Sequence, residues 1–207
     1  MPATLAPLEP VTLEGRYISL EPLAEHHARD IFAVMQDEDV CRYLSWPPPK
    51  ALDEILALIR QAEDPMARRE SVVFAQIWKA TGRAIGSTRL LDVRPHDRQV
   101  EIGATFLARD YWRSPANSES KFLFLRHCFE TLGCVRVALK TDGRNIRSQE
   151  AIARLGAVRE GTLRKHMNVR GYQRDTVYFS ILDTEWPTIK TRLATRLYAN
   201  PETSEVP

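Results

Sequence analysis

A carboxylate within a strongly alternating segment is the first residue that could do chemistry. Residues 99–107 alternate apolar and other side chains with the period of a strand, and Glu101 lies within them. Desolvation would raise the pKa of this carboxyl group, which would let it act as a general base near neutral pH. A carboxylate at the rim of a cleft, in a salt bridge with an arginine, is the alternative, and the sequence does not decide between the two.

The turn before a long predicted helix is the second candidate, because free N–H groups and the positive end of a helix dipole attract phosphate. Arg113 adds a formal charge to this turn, and Ser114, Asn117 and Ser118 add donors. Pro115 removes one N–H group. Asn117 is also a suitable N-cap, so a capped helix without a ligand is the alternative interpretation.

Asn145 and Ser148 open a shorter predicted helix directly after a strand. Both could cap that helix, and both would lie beyond the C-terminal end of a strand, where open α/β sheets bind ligands. The acidic run 37–39 forms either a solvated loop or a negatively charged group that attracts an amine substrate. The adjacent His26 and His27 lack a partner ligand at metal-binding spacing, so no metal site is expected.

Composition and charge exclude several classes of protein. The chain has 207 residues, with 29 basic against 27 acidic side chains, which suits one ordinary domain and argues against nucleic acid as a partner. No apolar run approaches the roughly 20 residues of a membrane span, and the first residues do not resemble a secretory signal. The three cysteines form no CxxC pair, so we expect them to be reduced and buried in a cytoplasmic protein.

A mixed α/β fold is expected to position these candidates. Hydrophobic periodicity predicts strands at 11–20, 71–78, 84–92, 99–107, 134–140, 157–160 and 176–182, and helices at 24–36, 51–63, 117–132, 147–155 and 186–198. A strand, helix and strand in succession around the long helix imply a parallel pair, in a sheet with helices on both faces. We expect a flexible lead-in at 1–10, a single domain at 11–186, a C-terminal helix at 187–200 and a tail at 201–207.

Three stretches in this order give the chain a resemblance to the GCN5-related N-acetyltransferase (GNAT) family, in the branch of ribosomal-protein N-terminal acetyltransferases (RimJ/RimL-like). The stretches are ISLEPLAEHHARDIFAVMQDEDVCRYLSW, VEIGATFLARDYWRSPANSESKFLFLRHCFETLGCVRVALKTDGRNIRSQEAIARLGAVREGTLR and DTVYFSILDTEW. The resemblance extends roughly from Leu13 to Trp186. It implies a GNAT-like fold, with a central, mixed, mostly antiparallel twisted sheet of about seven strands and helices on both faces.

The resemblance also implies an enzyme, an acyltransferase that moves the acetyl group of its cosubstrate acetyl-CoA to a primary amine of a protein N-terminus or a small molecule. Glu101 holds the place of the family's base, which acts through water. Ile152 stands where many relatives have a tyrosine that serves as the acid, and the resemblance gives that role to Ser148. No metal, nucleic acid or membrane is implied, and two sheet edges could pair across a homodimer.

The family's contacts with CoA are carried over onto three segments of this chain. We expect pyrophosphate at Arg113, Ser114, Asn117 and Ser118, pantetheine along Ala104, Thr105, Phe106 and Leu107, and the far side of pantetheine at Asn145 and Ser148. The family's phosphate loop has two glycines, whereas Pro115 and Asn117 stand in their places here. A catalytically inactive GNAT-like module that binds a small ligand or a protein partner is therefore the alternative.

Overall fold

One open sheet of eight strands runs through the computed structural model, which describes residues 4–199. The strand order is β1-β2-β3-β4-β5-β6-β8-β7, and every neighbouring pair is antiparallel except β5 and β6. The strands are β1 Leu13–Glu14, β2 Ile18–Pro22, β3 Val72–Trp78, β4 Arg83–Arg94, β5 Gln99–Leu107, β6 Arg136–Asp142, β7 Val158–Val169 and β8 Tyr172–Leu182. The helices are α1 Ala28–Val34, α2 Glu38–Cys41, α3 Leu52–Gln61, α4 Glu63–Ala67, α5 Ala116–Arg126, α6 Ile146–Leu155 and α7 Trp186–Tyr198.

The predicted fold class is confirmed, with eight strands in place of about seven. The extra strand arises because the predicted strand 11–20 is divided into β1 and β2 by a tight turn, in which the N–H of Gly15 donates to the carbonyl of Ile18 at 2.9 Å. The parallel pair expected around the long helix is β5 and β6. Within residues 4–199, no helix is long and apolar enough to cross a membrane.

Two hydrophobic clusters cover the two faces of the sheet. The larger one packs α5, α6 and α7 against β2 to β6 and β8. The smaller one packs α1, α2 and α3 against the other face, and its buried strand residues come from β3, β4 and β5. On this second face, β6 and β8 carry polar side chains instead, among them Lys140, Thr176 and Tyr178. Helices α1, α2 and α3 therefore leave this part of the sheet to polar side chains, of which Thr176 is fully buried.

The polar stretch between the last two predicted strands is a long hairpin. β7 and β8 extend well beyond 157–160 and 176–182, and they are joined by Arg170 and Gly171, which have φ of 52° and 85°. Two residues at positive φ match the twist of a hairpin. Because β7 is an edge strand with mostly exposed side chains, it lacks the apolar alternation by which a half-buried strand is predicted.

The expected flexible lead-in is wrong for the residues around Leu5 and Leu8. These side chains are only 6% and 1% exposed, and they belong to the larger cluster. The N–H groups of Leu5 and Ala6 donate to the carbonyls of Pro95 and Leu132, at 3.0 and 2.9 Å. Prolines around these leucines gave the segment a loop-like composition, but they do not prevent burial in an extended chain. The predicted tail 201–207 lies outside the described residues.

Candidate active site

The parallel strands β5 and β6 separate directly after Glu101. Their ladder consists of three pairs, of which Glu101 and Ala138 form the last, although both strands continue beyond it. A bulge lies in the continuing part of β5, where the pairing with β4 shifts and Ala104 has φ of 49°. Because the ladder has ended, the edges of both strands beyond Glu101 can offer N–H and C=O groups to an extended ligand.

Glu101 is a buried carboxylate at the point of separation. Its side chain is 3% exposed, and Lys140 on β6 places its Nζ atom 3.0 Å from Oε2. Burial raises the pKa of Glu101, while the charge of Lys140 opposes that rise. A Cβ on Gly103 would lie 2.8 Å from Glu101 Oε1, so glycine makes room for the carboxylate. The alternative of a rim carboxylate paired with an arginine is wrong, because the group is buried and its partner is a lysine.

The start of α6 forms the wall beyond the end of β6. Asn145 caps this helix through Oδ1, which accepts the N–H of Ser148 at 3.1 Å, as the capping interpretation predicted. Across the opening, Trp112 donates from Nε1 to the carbonyl of Leu107 at 2.9 Å. The guanidinium of Arg147 lies 3.4 Å from the centre of the Trp112 ring. This cation–π contact joins the two walls at the mouth of the opening.

The loop before α5 differs from the prediction at its cap. Pro115, rather than Asn117, occupies the N-cap position, and Asn117 lies in the first turn. The hydroxyl of Ser114 donates to the carbonyl of Tyr111 at 2.7 Å and accepts the N–H of Ala116 at 3.2 Å. It thereby takes the capping role, because a proline side chain has no acceptor. Arg113 remains exposed, with φ of 67°.

The four β5 residues expected along pantetheine do not all face the opening. Phe106 and Leu107 are buried in opposite hydrophobic clusters, and Ala104 lies half-buried at the bulge. Their neighbour Thr105 turns its hydroxyl toward α5, where Lys121 donates to it at 2.5 Å. Backbone groups, rather than these side chains, are therefore what this strand can offer to a ligand.

Lys121 itself was missed by the sequence analysis. It is fully buried, its Nζ atom contacts the hydroxyls of Thr88 and Thr105, and these hydroxyls are 2.8 Å apart. Burial lowers the pKa of Lys121 to about 7. Phe124 and Leu125 follow it by three and four residues in the sequence, and apolar neighbours at that spacing were the available signal of a buried face.

Two of the three carboxylates in the acidic run 37–39 are paired, whereas Glu38 is exposed. Asp37 accepts two hydrogen bonds from Arg109, at 2.7 and 2.8 Å, and Asp39 accepts a third at 2.5 Å. The bonds with Arg109 lower the pKa of Asp37 to about 2. The charges of Asp37 and Asp39 are balanced by Arg109 and Arg42, so an attraction for an amine would depend on Glu38. The bonds of Arg109 connect the start of α2 with the end of β5.

The adjacent histidines have a carboxylate neighbour that the sequence did not reveal. Glu21 lies close enough to His26 and His27 for the three side chains to be considered as metal ligands. Yet Nδ1 of His27 accepts the N–H of Ala24 at 3.1 Å, and its Nε2 lies 3.7 Å from Glu21. A neutral imidazole that ligates a metal through one nitrogen carries a proton on the other, and an accepted bond at Nδ1 opposes that arrangement.

Comparisons with known proteins concern the family and the fold of the chain. A family model described as an acetyltransferase (GNAT) domain matches residues 18–158. The crystal structure of a GCN5-related N-acetyltransferase from Brucella melitensis is 33% identical to this chain, with 97% of this chain and 90% of that chain covered and a TM-score of 0.88. The putative ribosomal N-acetyltransferase YdaF of Bacillus subtilis is 29% identical over 51% of this chain and 57% of its own length. The microcin C7 self-immunity acetyltransferase MccE, solved with acetyl-CoA and AMP, shares the fold at 15% identity and a TM-score of 0.75, over 81% of this chain and 93% of that chain.

Proposed function

Because the chain belongs to the GCN5-related N-acetyltransferase family and is an acetyl-CoA-dependent acyltransferase, we propose that it acetylates a primary amine of a protein N-terminus or a small molecule, with Glu101 as the base. The separation of β5 and β6 directly beside Glu101 is the observation that supports this most strongly. An extended thioester arm can hydrogen-bond to the open edge of β5, as an added strand would.

The residues around the opening suit acetyl-CoA, which supplies an activated acetyl group as its thioester. Arg113 and the N–H groups of Asn117 and Ser118, in the first turn of α5, would hold the pyrophosphate. The backbone of residues 104–107 would hold the pantetheine arm. Asn145 uses its oxygen to cap α6, so its NH₂ group remains to donate to the other side of that arm.

Glu101 would take the proton of the attacking amine through a water molecule. An amine attacks a thioester only in its neutral form, so a base must accept a proton from the ammonium. The raised pKa of Glu101 brings its proton affinity closer to that of a base working near neutral pH, and Lys140 at 3.0 Å stabilises the ionised form. Burial thus makes the carboxylate more basic, while the ion pair favours its ionised form.

Ser148 is proposed to give a proton to the departing thiolate. It is half-buried in the first turn of α6, and its N–H is bonded to Asn145. A thiolate is a stable leaving group by itself, since the thiol pKa is about 8.5. We therefore expect Ser148→Ala to lower turnover much less than Glu101→Gln.

The test is an acetyl-transfer assay with a panel of primary amines, in which CoA release is followed together with the mass of the acetylated product. Glu101→Gln is expected to lower kcat about a hundredfold or more and to leave the Kd of acetyl-CoA unchanged. Glu150→Gln changes the same charge on the exposed surface of α6 and should behave as wild type. Unchanged turnover in Glu101→Gln would show that another group is the base.

A second candidate function is an inactive relative that binds a small ligand or a protein partner in the same opening. Pro115 favours it, because this residue lacks the N–H that a glycine would offer to phosphate, and the next N–H, on Ala116, is already bonded to Ser114. Failure to bind acetyl-CoA at millimolar concentration would support this alternative over acetyl transfer.

A further inference from the structure

Polar and charged side chains share the sheet surface next to Glu101 that α1, α2 and α3 leave uncovered. The ladder pairs Lys140 with Tyr178, and these residues share the face of Glu101. Arg174 lies on the same face of β8, four residues before Tyr178. The hairpin tip reaches back over this surface, because Arg170 donates to the carbonyl of Arg42 at 2.6 Å.

Arg174 is a buried guanidinium that lacks a carboxylate partner. Its side chain is 8% exposed, and Nε donates to the hydroxyl of Thr176 at 3.2 Å. Within residues 4–199, no carboxylate comes within ion-pair distance of it. The nearby Glu101 is bonded to Lys140 at 3.0 Å, and Asp142 is bonded to Arg144 at 2.8 Å.

The positive charge of Arg174 nevertheless acts on the carboxylates of both Glu101 and Asp142. Burial raises the pKa of Glu101, and the charge of Arg174 opposes that rise together with Lys140. Apart from Nε, which is bonded to Thr176, the guanidinium has two further nitrogens that can donate to an anion. A buried charge without a counterion is costly, so an anion that binds to this fork would gain a strong interaction.

A second guanidinium, that of Arg89, lies on the other side of Glu101. It belongs to β4 and pairs with Gly103, the residue over which the carboxylate of Glu101 lies. Its Nε atom is buried and has no hydrogen-bond partner among the described residues, and its guanidinium is 5.8 Å from the centre of the Trp46 ring. Arg89 is therefore a second buried guanidinium on a strand next to Glu101. Besides burial, the charges that act on the pKa of Glu101 are those of Lys140 and Arg174, which lower it, and that of Asp92, which raises it.

We propose that the acceptor amine also carries an anionic oxygen group, a carboxylate or a phosphate, and that Arg174 binds this group and determines the specificity for it. The inference rests on the proposed acetyl transfer and adds the substrate class to it. The planar fork of an arginine matches the two oxygens of either group. Lys140 remains the partner of Glu101.

The test compares matched amines in the acetyl-transfer assay. One arm uses glycine, β-alanine and γ-aminobutyrate against their carboxamides, and the other uses phosphoethanolamine against ethanolamine, so that carboxylate and phosphate are distinguished. The wild-type protein is expected to prefer the anionic member of at least one pair by about tenfold or more in kcat/KM. Arg174→Gln should raise KM for that member to the level of its neutral partner. The neutral partner's kcat/KM should change much less, and only through the effect of the lost charge on the pKa of Glu101.

Three controls keep the outcome interpretable. Arg164→Gln removes one charge from an exposed position of the same hairpin and should keep the preference. Arg174→Lys keeps the positive charge but lacks the planar guanidinium, so it should keep part of the preference for the anionic amine. Thermal unfolding of every variant shows whether a loss of preference comes from a loss of folded protein. The Kd of acetyl-CoA should be the same in all variants.

Several results would overturn the inference while leaving acetyl transfer intact. The first is that the wild-type protein uses both members of every pair with equal kcat/KM. The second is that Arg174→Gln lowers kcat/KM equally for both members. The third is that the protein binds acetyl-CoA but accepts none of these amines. Absence of acetyl-CoA binding would instead contradict the proposed function itself.

Discussion

At the scale of single residues, two buried ionisable groups lie in different electrostatic settings. Glu101 has the ammonium of Lys140 at 3.0 Å, whereas Lys121, within residues 4–199, contacts the hydroxyls of Thr88 and Thr105 and no carboxylate. A counterion keeps a buried group charged, and without one the neutral form is favoured. The two sides of β5 thus hold a carboxylate that is paired with a lysine in the opening, and behind it a buried lysine whose pKa is lowered to about 7.

Removing the partner of Glu101 should move the pH dependence of catalysis. Lys140→Met removes a positive charge that opposes the rise in the pKa of Glu101, so this pKa should increase further. Because the base works in its ionised form, the acidic limb of the kcat/KM profile should shift to higher pH. Lys79→Met, at an exposed ion pair, is the control and should leave the profile in place. An unmoved acidic limb in Lys140→Met would argue that Glu101 does not set it.

Lys121 should make stability depend on pH. Its pKa falls from 10.5 in the unfolded chain to about 7 in the folded one, so between these values the unfolded chain binds more protons and stability rises with pH. Lys121→Met removes this linkage, and the hydroxyls of Thr88 and Thr105 can still bond to each other. We expect the variant to gain on the order of 2–4 kcal/mol of unfolding free energy at about pH 7, and less at about pH 9.5.

Urea denaturation of both proteins at these two pH values measures the difference. A gain of the same size at both would mean that the charge of Lys121 plays no part, and that the effect comes from packing alone.

At the scale of elements, Glu119 ties α5 to the turn between β1 and β2. The carboxylate accepts the N–H groups of Arg16, Tyr17 and Ile18, at 2.7, 2.8 and 2.9 Å, and the hydroxyl of Tyr198 at 2.9 Å. In Glu119→Gln one acceptor oxygen becomes an NH₂ group that faces buried donors. We expect a loss of about 2–4 kcal/mol of unfolding free energy, measured by thermal or urea denaturation.

The same contact explains why residue 15 is a glycine. A Cβ on Gly15 would lie 2.5 Å from Cδ of Glu119, so Gly15→Ala should destabilise the protein by displacing the carboxylate. The exposed Glu150→Gln should have little effect on stability. Equal stability of Glu119→Gln and Glu150→Gln would contradict the role of Glu119 as a clamp.

Elements with a buried, regular apolar face could be predicted from the sequence. β5 has the predicted bounds 99–107, and α6 begins and ends within one residue of its prediction. The β7–β8 hairpin could not be predicted in full, because its exposed side chains leave no alternation. The role of Glu119 was also hidden, since its donors lie about a hundred residues earlier in the chain.

At the scale of the whole molecule, the opening exists because the sheet is parallel at one place. β5 and β6 are held together by three pairs and then separate, while antiparallel ladders hold the rest of the sheet. The sequence predicted most of the strands, the parallel pair and the N-cap of α6, since these depend on local patterns and on the order of the elements. It could not predict the ion pair of Glu101 with Lys140 or the buried position of Arg174, because these depend on which strands become neighbours.

Calorimetric titration with acetyl-CoA tests most directly whether this opening is an acetyl-CoA site. The wild-type protein is expected to bind with a Kd in the micromolar range, about −8 kcal/mol, and Arg113→Ala should bind more weakly because it lacks the exposed cation of the phosphate loop. Arg29→Ala, which removes an exposed arginine of α1, should bind as the wild type does. No binding by the wild-type protein at millimolar acetyl-CoA would contradict the proposed site and show that Pro115 and Asn117 do not permit a phosphate loop.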